Sequence, residues 1–184
     1  MQNWAYVLDF NEKCPHVQYY LTFLRRLKER IPGGFQRIEY VEQPTARDLK
    51  AHPENAMHEA AKWCPVVIDE SLTDIDSLLL ARRMGWMGAV VKSPKGLTNV
   101  ILLASAAGKQ KVFLAGGDMS CPGAALIQTA SFQARVPGVT SVEANARQFL
   151  PAANKAWEAR FPGMFRITDG MMRTGELTRP ELGG

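Results

Sequence analysis

Pro65-Val66-Val67-Ile68-Asp69-Glu70-Ser71 is the stretch that decides the fold of this 184-residue chain. Its Val-Val-Ile run is continuously apolar rather than alternating, which predicts a strand that is buried on both faces. The run ends abruptly in two carboxylates and a hydroxyl. Charge at the rim of an apolar core must face water, pair with a cation or bind a metal. The stretch therefore predicts a strand that delivers polar groups to one edge of a sheet.

Three further apolar runs end on a charged residue in the same way. They are Tyr6-Val7-Leu8 before Asp9, Ile38–Val41 before Glu42, and Ala89-Val90-Val91 before Lys92. Successive runs are separated by distances close to the roughly 30 residues that a strand, a crossover helix and two loops require. Functional groups at the ends of successive strands, one βα unit apart, are typical of the catalytic face of a (β/α) barrel.

Asp9, Glu42 and Asp69 are candidate ligands of a hard metal ion. Three acidic groups that converge on one point make an oxygen-ligand site suited to Mg²⁺ or Mn²⁺. A single Asp or Glu at a strand end is more often a loop or capping residue, but three in register with a lysine after them favour a site. Lys92 taken alone could simply pair with Asp69 or Glu70.

Composition and charge narrow the class of protein. Hydrophobic residues make up 46% of the chain, charged residues 22%, and the formal charge is +4. The basic residues are scattered without interleaved aromatic residues, so we expect no nucleic-acid partner. No apolar run reaches the roughly 18 residues that a membrane helix needs, and the first residues lack the order of a signal peptide. We therefore expect a cytoplasmic protein with no membrane partner.

The positions of the three cysteines also bear on the cellular compartment. Cys14, Cys64 and Cys121 lie far apart and form no Cys-x-x-Cys pair. This pattern argues against a disulfide framework or a zinc site and favours a reducing compartment.

Strands and helices alternate along the whole sequence. Predicted helices cover residues 15–31, 55–63, 73–84 with Thr73 as N-cap, 98–107, 123–134 and 151–160, and residues 165–170 read as a strand into a turn. Strict alternation argues for a parallel sheet, and the absence of a Gly-x-Gly-x-x-Gly motif leaves a dinucleotide-binding fold little support. The predicted class is α/β, a partial TIM-type (β/α) barrel of about six βα units that forms a single domain over residues 1–184.

The ordered set of strand ends resembles the catalytic barrel of the enolase superfamily, in its mandelate racemase/muconate lactonizing enzyme-like branch. Tyr-Val-Leu-Asp9-Phe-Asn11, Tyr-Val-Glu42-Gln43-Pro44, Ile-Asp69-Glu70-Ser71 and Val-Val-Lys92-Ser-Pro-Lys95-Gly96 are similar to the third to sixth barrel strands. Gly116-Gly117-Asp118-Met119 is similar to the opening of the seventh strand, Glu143 to the acidic group of the eighth, and Ile167 through Gly183 to the C-terminal segment. The resemblance runs nearly from end to end.

The resemblance implies removal of a proton from the carbon next to the carboxylate of a small substrate, with Mg²⁺ or Mn²⁺ stabilising the enediolate. The reaction would be of the racemase, epimerase, cycloisomerase or dehydratase kind, which makes the protein an isomerase or a lyase. Asp9, Glu42 and Asp69 would hold the metal, and Lys92 would act as base, acid or stabilising cation. The groups that would support these residues or contact the substrate are Asn11, Gln43, Glu70, Lys95, Gly117, Asp118 and Glu143.

The sequence also departs from that family. It starts at the segment that resembles the third strand, so we expect the capping domain, the first two strands and the Lys-x-Lys pair of the second strand to be missing. Lys109 and Lys111 form a Lys-Gln-Lys triplet, but they precede the seventh strand. The chain is then an enzyme fragment that is impaired alone or, alternatively, a non-catalytic barrel remnant that acts as an oligomeric or partner-binding module.

Six strands of an eight-stranded barrel leave two edges unpaired, and closure is what removes such edges. We therefore expect one of three arrangements. The chain pairs with itself, or it pairs with a separate polypeptide that supplies the missing strands, or it is part of a longer protein.

Overall fold

The computed structural model describes residues 4–117 and 119–177. Asp118 and the end of the C-terminal segment, residues 178–184, lie outside the described residues. Within the described ranges the six strands are β1 (Tyr6–Asp9), β2 (Ile38–Glu42), β3 (Val66–Ile68), β4 (Gly88–Lys92), β5 (Phe113–Gly117) and β6 (Val139–Val142).

The same ranges contain eight α-helices, three of which are a single turn long. They are α1 (Val17–Arg30), α2 (Pro32–Phe35), α3 (Ile75–Arg83), α4 (Leu97–Gln110), α5 (Ala124–Gln133), α6 (Ala146–Phe149), α7 (Pro151–Arg160) and α8 (Pro162–Phe165). Three 3₁₀ turns cover Pro53–Asn55, Ala60–Lys62 and Ser93–Lys95.

The order of the strands in the sheet is their order in the chain, from β1 at one edge to β6 at the other. The pairs β1–β2, β2–β3, β3–β4 and β5–β6 are parallel. Parallel strands that follow one another in chain order, with helices between them, are the arrangement of a (β/α) barrel. The predicted class, an α/β partial barrel of about six βα units, is confirmed.

By its internal packing the chain divides into two compact units. The first unit is Met1–Val90 with Ala106–Phe113, and the second is Val91–Ser105 with Leu114–Gly184. Strands β1 to β3 lie in the first unit and β6 lies in the second. Whether residues 1–184 behave as a single domain stays a prediction.

Strand β3 is the centre of the first unit. Its residues Val66, Val67 and Ile68 are all fully buried, as their continuous apolar run predicts. Helix α1 buries one face, which includes Tyr20 and Leu24 at helical spacing. Strand β1 is different because it is an edge strand, and most of its residues are exposed.

The second unit has its own apolar cluster. Its buried members are Ile127, Ala130, Phe161, Met164 and Leu177. They come from α5 and from the segment around α7 and α8, and Trp157, Phe165 and Met172 pack against them. Helix α7 begins and ends at the predicted residues.

The predicted helix over residues 55–63 is wrong. Two 3₁₀ turns stand there, and between them Ala56 is extended. The Met57 N–H donates to the Met84 carbonyl oxygen at 2.6 Å. This bond to a distant segment replaces the bond within a helix that the local pattern predicts.

Two smaller expectations also fail. The N-cap of α3 is Asp74 rather than Thr73, because the Asp74 carboxylate accepts from the Ser77 N–H at 2.8 Å while the Ser77 hydroxyl oxygen accepts from the Asp74 N–H at 3.0 Å. Residues 165–170 do not form a strand, since α8 reaches Phe165. The predicted turn is present and is closed by two bonds between Thr168 and Met171.

None of the helices in the described residues is both long and apolar enough to cross a membrane.

The cap of α3 gives a testable prediction. The Ser77 N–H holds the pKa of Asp74 below its usual value, so the ionised carboxylate is the form that stabilises the helix. We expect Asp74→Ala to lower the free energy of unfolding by about 1 kcal/mol at pH 7. Since the folded-state pKa is depressed, this contribution is complete above the unfolded pKa of about 4 and is lost as the pH falls through the folded value.

Urea unfolding of wild type and Asp74→Ala, measured from pH 7 downward, checks both statements. Glu29→Ala, at an exposed position of α1, is the control and should change the free energy of unfolding by less than about 0.5 kcal/mol. A difference at Asp74 that stays constant across the pH range would contradict the assignment of the cap.

Candidate functional site

Asp9, Glu42 and Asp69 stand at the carboxyl ends of three successive strands of the first unit. Asp9 and Glu42 are direct partners in the β1–β2 pairing, and Glu42 is the partner of Val67 in β2–β3. Asp69 directly follows the last residue of β3, Ile68. Glu42 and Asp69 are each only 4% exposed, whereas Asp9 ends the edge strand and is exposed.

Gln43, the residue after Glu42, joins the end of β2 to the loop after β3. Its Oε1 accepts from the backbone N–H groups of Asp69 at 2.9 Å and Ser71 at 3.2 Å. Its Nε2 donates to the Thr45 carbonyl oxygen at 3.0 Å and to the Ser71 hydroxyl at 2.8 Å. A carboxamide has two donors and two acceptor positions, so every hydrogen-bonding position of this fully buried group is used.

The backbone adapts to this network. Gln43 has φ +30°, a conformation that side-chain-bearing residues rarely adopt. The strand therefore ends sharply at Glu42, and the next side chain turns inward to bind the neighbouring loop. Gln43 thus holds the backbone that carries Asp69, which is a supporting position for the predicted metal ligands.

Asn11 supports Asp9. The Asn11 backbone N–H donates to Asp9 Oδ1 at 2.9 Å, and the Asn11 side-chain amide donates to Asp9 Oδ2. Asn11 has φ +43°, which asparagine tolerates better than most residues. Both oxygens of the Asp9 carboxylate are therefore engaged by a residue two positions away.

An ion pair that the sequence analysis missed lies beside these carboxylates. The Arg47 guanidinium binds both carboxylate oxygens of Glu12, and the Arg47 backbone N–H donates to Glu12 Oε1 at 2.6 Å. The pKa of Arg47 is raised, first by its hydrogen bonds to Glu12 and further by the negative charges of Glu70 and Asp69. The sequence feature that could have predicted this ion pair is the location of Glu12 and Arg47, which follow the carboxyl ends of the neighbouring strands β1 and β2.

The donor types fit a hard cation, but the side chains are not gathered into a cluster. Buried carboxylates require a cation, a proton or hydrogen bonds, and oxygen donors are those that Mg²⁺ prefers. However, no group of three or more His, Cys, Asp or Glu side chains in residues 4–117 and 119–177 is placed so that it could hold a metal ion. Both carboxylate oxygens of Asp9 bind Asn11 instead.

The second unit carries the remaining predicted residues. Lys92 ends β4 and is partly buried, and Lys95 is exposed on the 3₁₀ turn that follows. Glu143 directly follows β6, where its N–H donates to the Gly116 carbonyl oxygen at 2.8 Å. The Glu143 carboxylate is exposed and accepts from the Asn145 side-chain amide at 2.8 Å.

Gly117 is buried at the end of β5 and belongs to a second glutamine network. The Gln133 Nε2 donates to the carbonyl oxygens of Val91 at 2.8 Å and Gly117 at 2.9 Å. A side chain at Gly116 would not fit, because its Cβ would lie 2.4 Å from Gln133 Oε1. Gly117 is therefore held through its backbone, while Asp118 lies outside the described residues.

Two of the three cysteines, Cys14 and Cys64, are poor nucleophiles. Cys14, Cys64 and Cys121 all lie in the described part of the chain and are free thiols. Burial raises the pKa of both the Cys14 and the Cys64 thiol to about 11. Both groups therefore stay protonated near neutral pH, and the thiolate is the reactive form.

The fold is similar to that of several solved enzymes. L-Ala-D/L-Glu epimerase from Bacillus subtilis matches 82% of this chain at a TM-score of 0.66 and 21% identity. N-succinyl Arg/Lys racemase from Bacillus cereus matches 78% at 0.64 and 23% identity. Muconate cycloisomerase from Pseudomonas fluorescens matches 78% at 0.63 and 20% identity.

These matches confirm the predicted resemblance at the level of the fold. The chain spans about two fifths of the length of these relatives, 40% of the epimerase and 38% of each of the other two. No protein-family model matches the sequence, and no curated protein matches it significantly. The chain therefore has the fold of part of these enzymes.

The Gln43 network gives a second prediction. We expect Gln43→Met to lower the free energy of unfolding by about 2–4 kcal/mol, because it removes the partners of two buried N–H groups. Gln18→Met makes the same change at an exposed position of α1 and should alter stability by less than about 0.5 kcal/mol. Urea unfolding measures both, and equal effects of the two changes would contradict the role of Gln43.

Proposed function

We propose that this chain, which has the fold of part of a mandelate racemase/muconate lactonizing enzyme-like protein, carries the metal-binding part of an enolase-superfamily enzyme. The enzyme would remove the proton next to the carboxylate of a small substrate. The observation that supports this proposal is the position of Asp9, Glu42 and Asp69 at the carboxyl ends of three successive paired strands, with Glu42 and Asp69 buried.

In this proposal Asp9, Glu42 and Asp69 hold Mg²⁺, with Mn²⁺ as an alternative. The cation would supply electrostatic stabilisation of the negative charge that develops as the proton leaves. Gln43 fixes the backbone at Asp69, and Asn11 controls the orientation of the Asp9 carboxylate.

The proposed base is Lys92, the residue that ends β4. One base is enough for proton exchange, in which the abstracted proton is replaced from solvent before the same carbon is protonated again, or for elimination of a group from the neighbouring carbon. Glu70, Lys95, Gly117, Asp118 and Glu143 are proposed to support these groups or to contact the substrate. A cytoplasmic location is part of the proposal and is consistent with three free thiols, two of them buried.

The second candidate is a non-catalytic module that acts by association with itself or with a partner. The finding that favours it is the lack, in the described ranges, of three acidic side chains placed to hold a metal. Metal affinity separates the two candidates, because only the enzyme requires it.

Titration of the chain with Mg²⁺ by calorimetry, with Mn²⁺ as a second probe, tests the metal site. We expect Glu42→Gln and Asp69→Asn each to weaken binding by more than the roughly tenfold that loss of a supporting group costs. Glu39→Gln makes the same charge change three residues earlier in β2, at an exposed position, and should leave binding unchanged. If the wild-type protein binds neither cation, the enzyme proposal is refuted and the non-catalytic module is the remaining candidate.

Exchange of the α-proton in D₂O, followed by NMR in the presence of Mg²⁺, tests the chemistry. The substrates to try first are a dipeptide, an N-succinyl amino acid and a simple 2-hydroxy acid, which represent carboxylates of different size. We expect slow exchange for at least one of them, reduced by about 10²- to 10⁴-fold in Lys92→Met. Lys109→Met, at an exposed position of α4, is the control, and an equal loss in both variants would rule out Lys92 as the base.

A further inference from the structure

Exposed basic side chains gather on one face of the first unit, at the amino ends of its strands. Helices α1, α3 and α4 all end on this side, since the segment after each enters a strand at its amino end. Their last turns, the residue after α4 and the 3₁₀ turn before β3 contribute seven exposed basic residues. They are Lys28, Arg30, Lys62, Arg82, Arg83, Lys109 and Lys111. We call this surface the basic face.

Contacts between the helix ends join these residues into one surface. The Lys28 ammonium lies over the Trp63 ring, 4.9 Å from its centroid, and this contact joins the end of α1 to the 3₁₀ turn. The Arg82 Nε donates to the Gln110 carbonyl oxygen at 3.4 Å, which joins the ends of α3 and α4. The loop after α3 is bound in turn to the segment before the 3₁₀ turn. The basic residues are scattered along the sequence, and the fold brings them together.

The basic face carries more positive charge than the whole chain. Its acidic residues are Glu29 and Glu59, and Glu59 pairs with Lys62 at 2.6 Å. At the start of β2 the charges of Arg37 and Glu39 offset each other. Seven basic and two acidic residues leave five positive charges, whereas the formal charge of the chain is +4. The remainder of the protein is therefore net negative, and the positive charge is concentrated on this face.

Large apolar side chains are exposed among these charges. Ile31 is 56% exposed after α1, Met87 is 40% exposed after α3, and Trp63 is 37% exposed after the 3₁₀ turn. Basic side chains at helix C-termini also stabilise the helix dipole, but that effect gives no reason for exposed apolar residues beside them. Lysine and arginine around tryptophan and aliphatic side chains are typical of surfaces that lie in the interface of a membrane.

We propose that the basic face binds the surface of an anionic lipid bilayer. The lysine and arginine side chains lie among the headgroups, and Ile31, Trp63 and Met87 reach the boundary of the acyl chains. The cytoplasmic leaflet carries the anionic lipids that attract basic clusters of this size, which agrees with the proposed cytoplasmic location. This inference goes beyond the proposed function, since it requires neither a metal nor Lys92.

Contact with the surface of a bilayer needs no spanning helix. The expected absence of a membrane partner rests on the lack of a long apolar run, so it does not extend to this kind of contact. A nucleic acid fits less well, because it is bound through phosphates and through bases stacked on aromatic rings. Of the three exposed apolar side chains, only Trp63 could stack on a base.

Cosedimentation of the full chain with lipid vesicles tests the proposal. Vesicles of phosphatidylcholine with phosphatidylserine are compared with vesicles of phosphatidylcholine alone. We expect binding to the anionic vesicles that weakens as the salt concentration rises. Arg83→Gln combined with Lys109→Gln should weaken this binding about 20-fold, since each basic residue near an anionic surface contributes about fivefold. Ile31→Ser should also weaken it, and Glu29→Lys, which adds a positive charge to the same face, should strengthen it.

Each loss has a matched control. Lys13→Gln combined with Lys50→Gln removes two exposed charges that follow the carboxyl ends of β1 and β2, and should leave vesicle binding unchanged. Tyr19→Ser is the control for Ile31→Ser, because Tyr19 is also 56% exposed but lies in the first turn of α1. Urea unfolding shows whether each variant is folded.

Equal binding of the wild-type chain to both kinds of vesicle would overturn the proposal. Equal losses in the two double variants, or no gain in Glu29→Lys, would overturn it as well. A single-stranded oligonucleotide that binds more tightly than the anionic vesicles, with no loss in Ile31→Ser, would show that the basic face serves a nucleic acid instead.

Discussion

The structure of the candidate site depends on one buried carboxamide. Gln43 uses both acceptor and both donor positions to join the end of β2 to the loop after β3. The adjacent residue in the chain is Glu42, and the backbone it binds is that of Asp69, so a single side chain controls the spacing of two buried carboxylates. A glutamate in its place would lose both donors, and an apolar residue would lose all four bonds and leave buried N–H groups unpaired.

In the second unit, too, a buried glutamine side chain pairs backbone groups at the strand ends. Parallel strands that end together leave backbone carbonyls without partners, and buried carbonyls must be paired. Gln133 donates to the Val91 carbonyl oxygen near the end of β4 and to the Gly117 carbonyl oxygen at the end of β5. The space that its side chain occupies is available because residue 116 is glycine. In each unit, therefore, a buried amide fixes the rim on which the predicted functional residues stand.

The sequence predicts the features that depend on neighbouring residues. Continuous apolar runs that end in charge locate the strands and place Asp9, Glu42 and Asp69 at their ends, and helix α7 is found at its true bounds. The missed features depend on distant residues. Gln43 binds N–H groups 26 and 28 residues away, and the helix expected over residues 55–63 is interrupted by the bond from Met57 to Met84. The pairing of Arg47 with Glu12 likewise requires two loops to meet. The prediction of Thr73 as the N-cap of α3 is wrong for a local reason. Thr73 and Asp74 are both good N-cap residues, and the backbone geometry decides between them.

The agreement between strand order in the sheet and in the chain has a consequence for how this protein forms and divides. Each strand pairs only with strands adjacent in sequence, so a new βα unit can dock on the preceding one as soon as it leaves the ribosome. Such pairing closes loops of one βα unit, which costs less entropy than the longer loops of a sheet whose strands are out of chain order. It also means that removing units from either end breaks one strand pair and leaves the others intact. A cut in a loop between two units would therefore break the pairing at that loop, and each piece would keep the hydrogen bonds between its own strands.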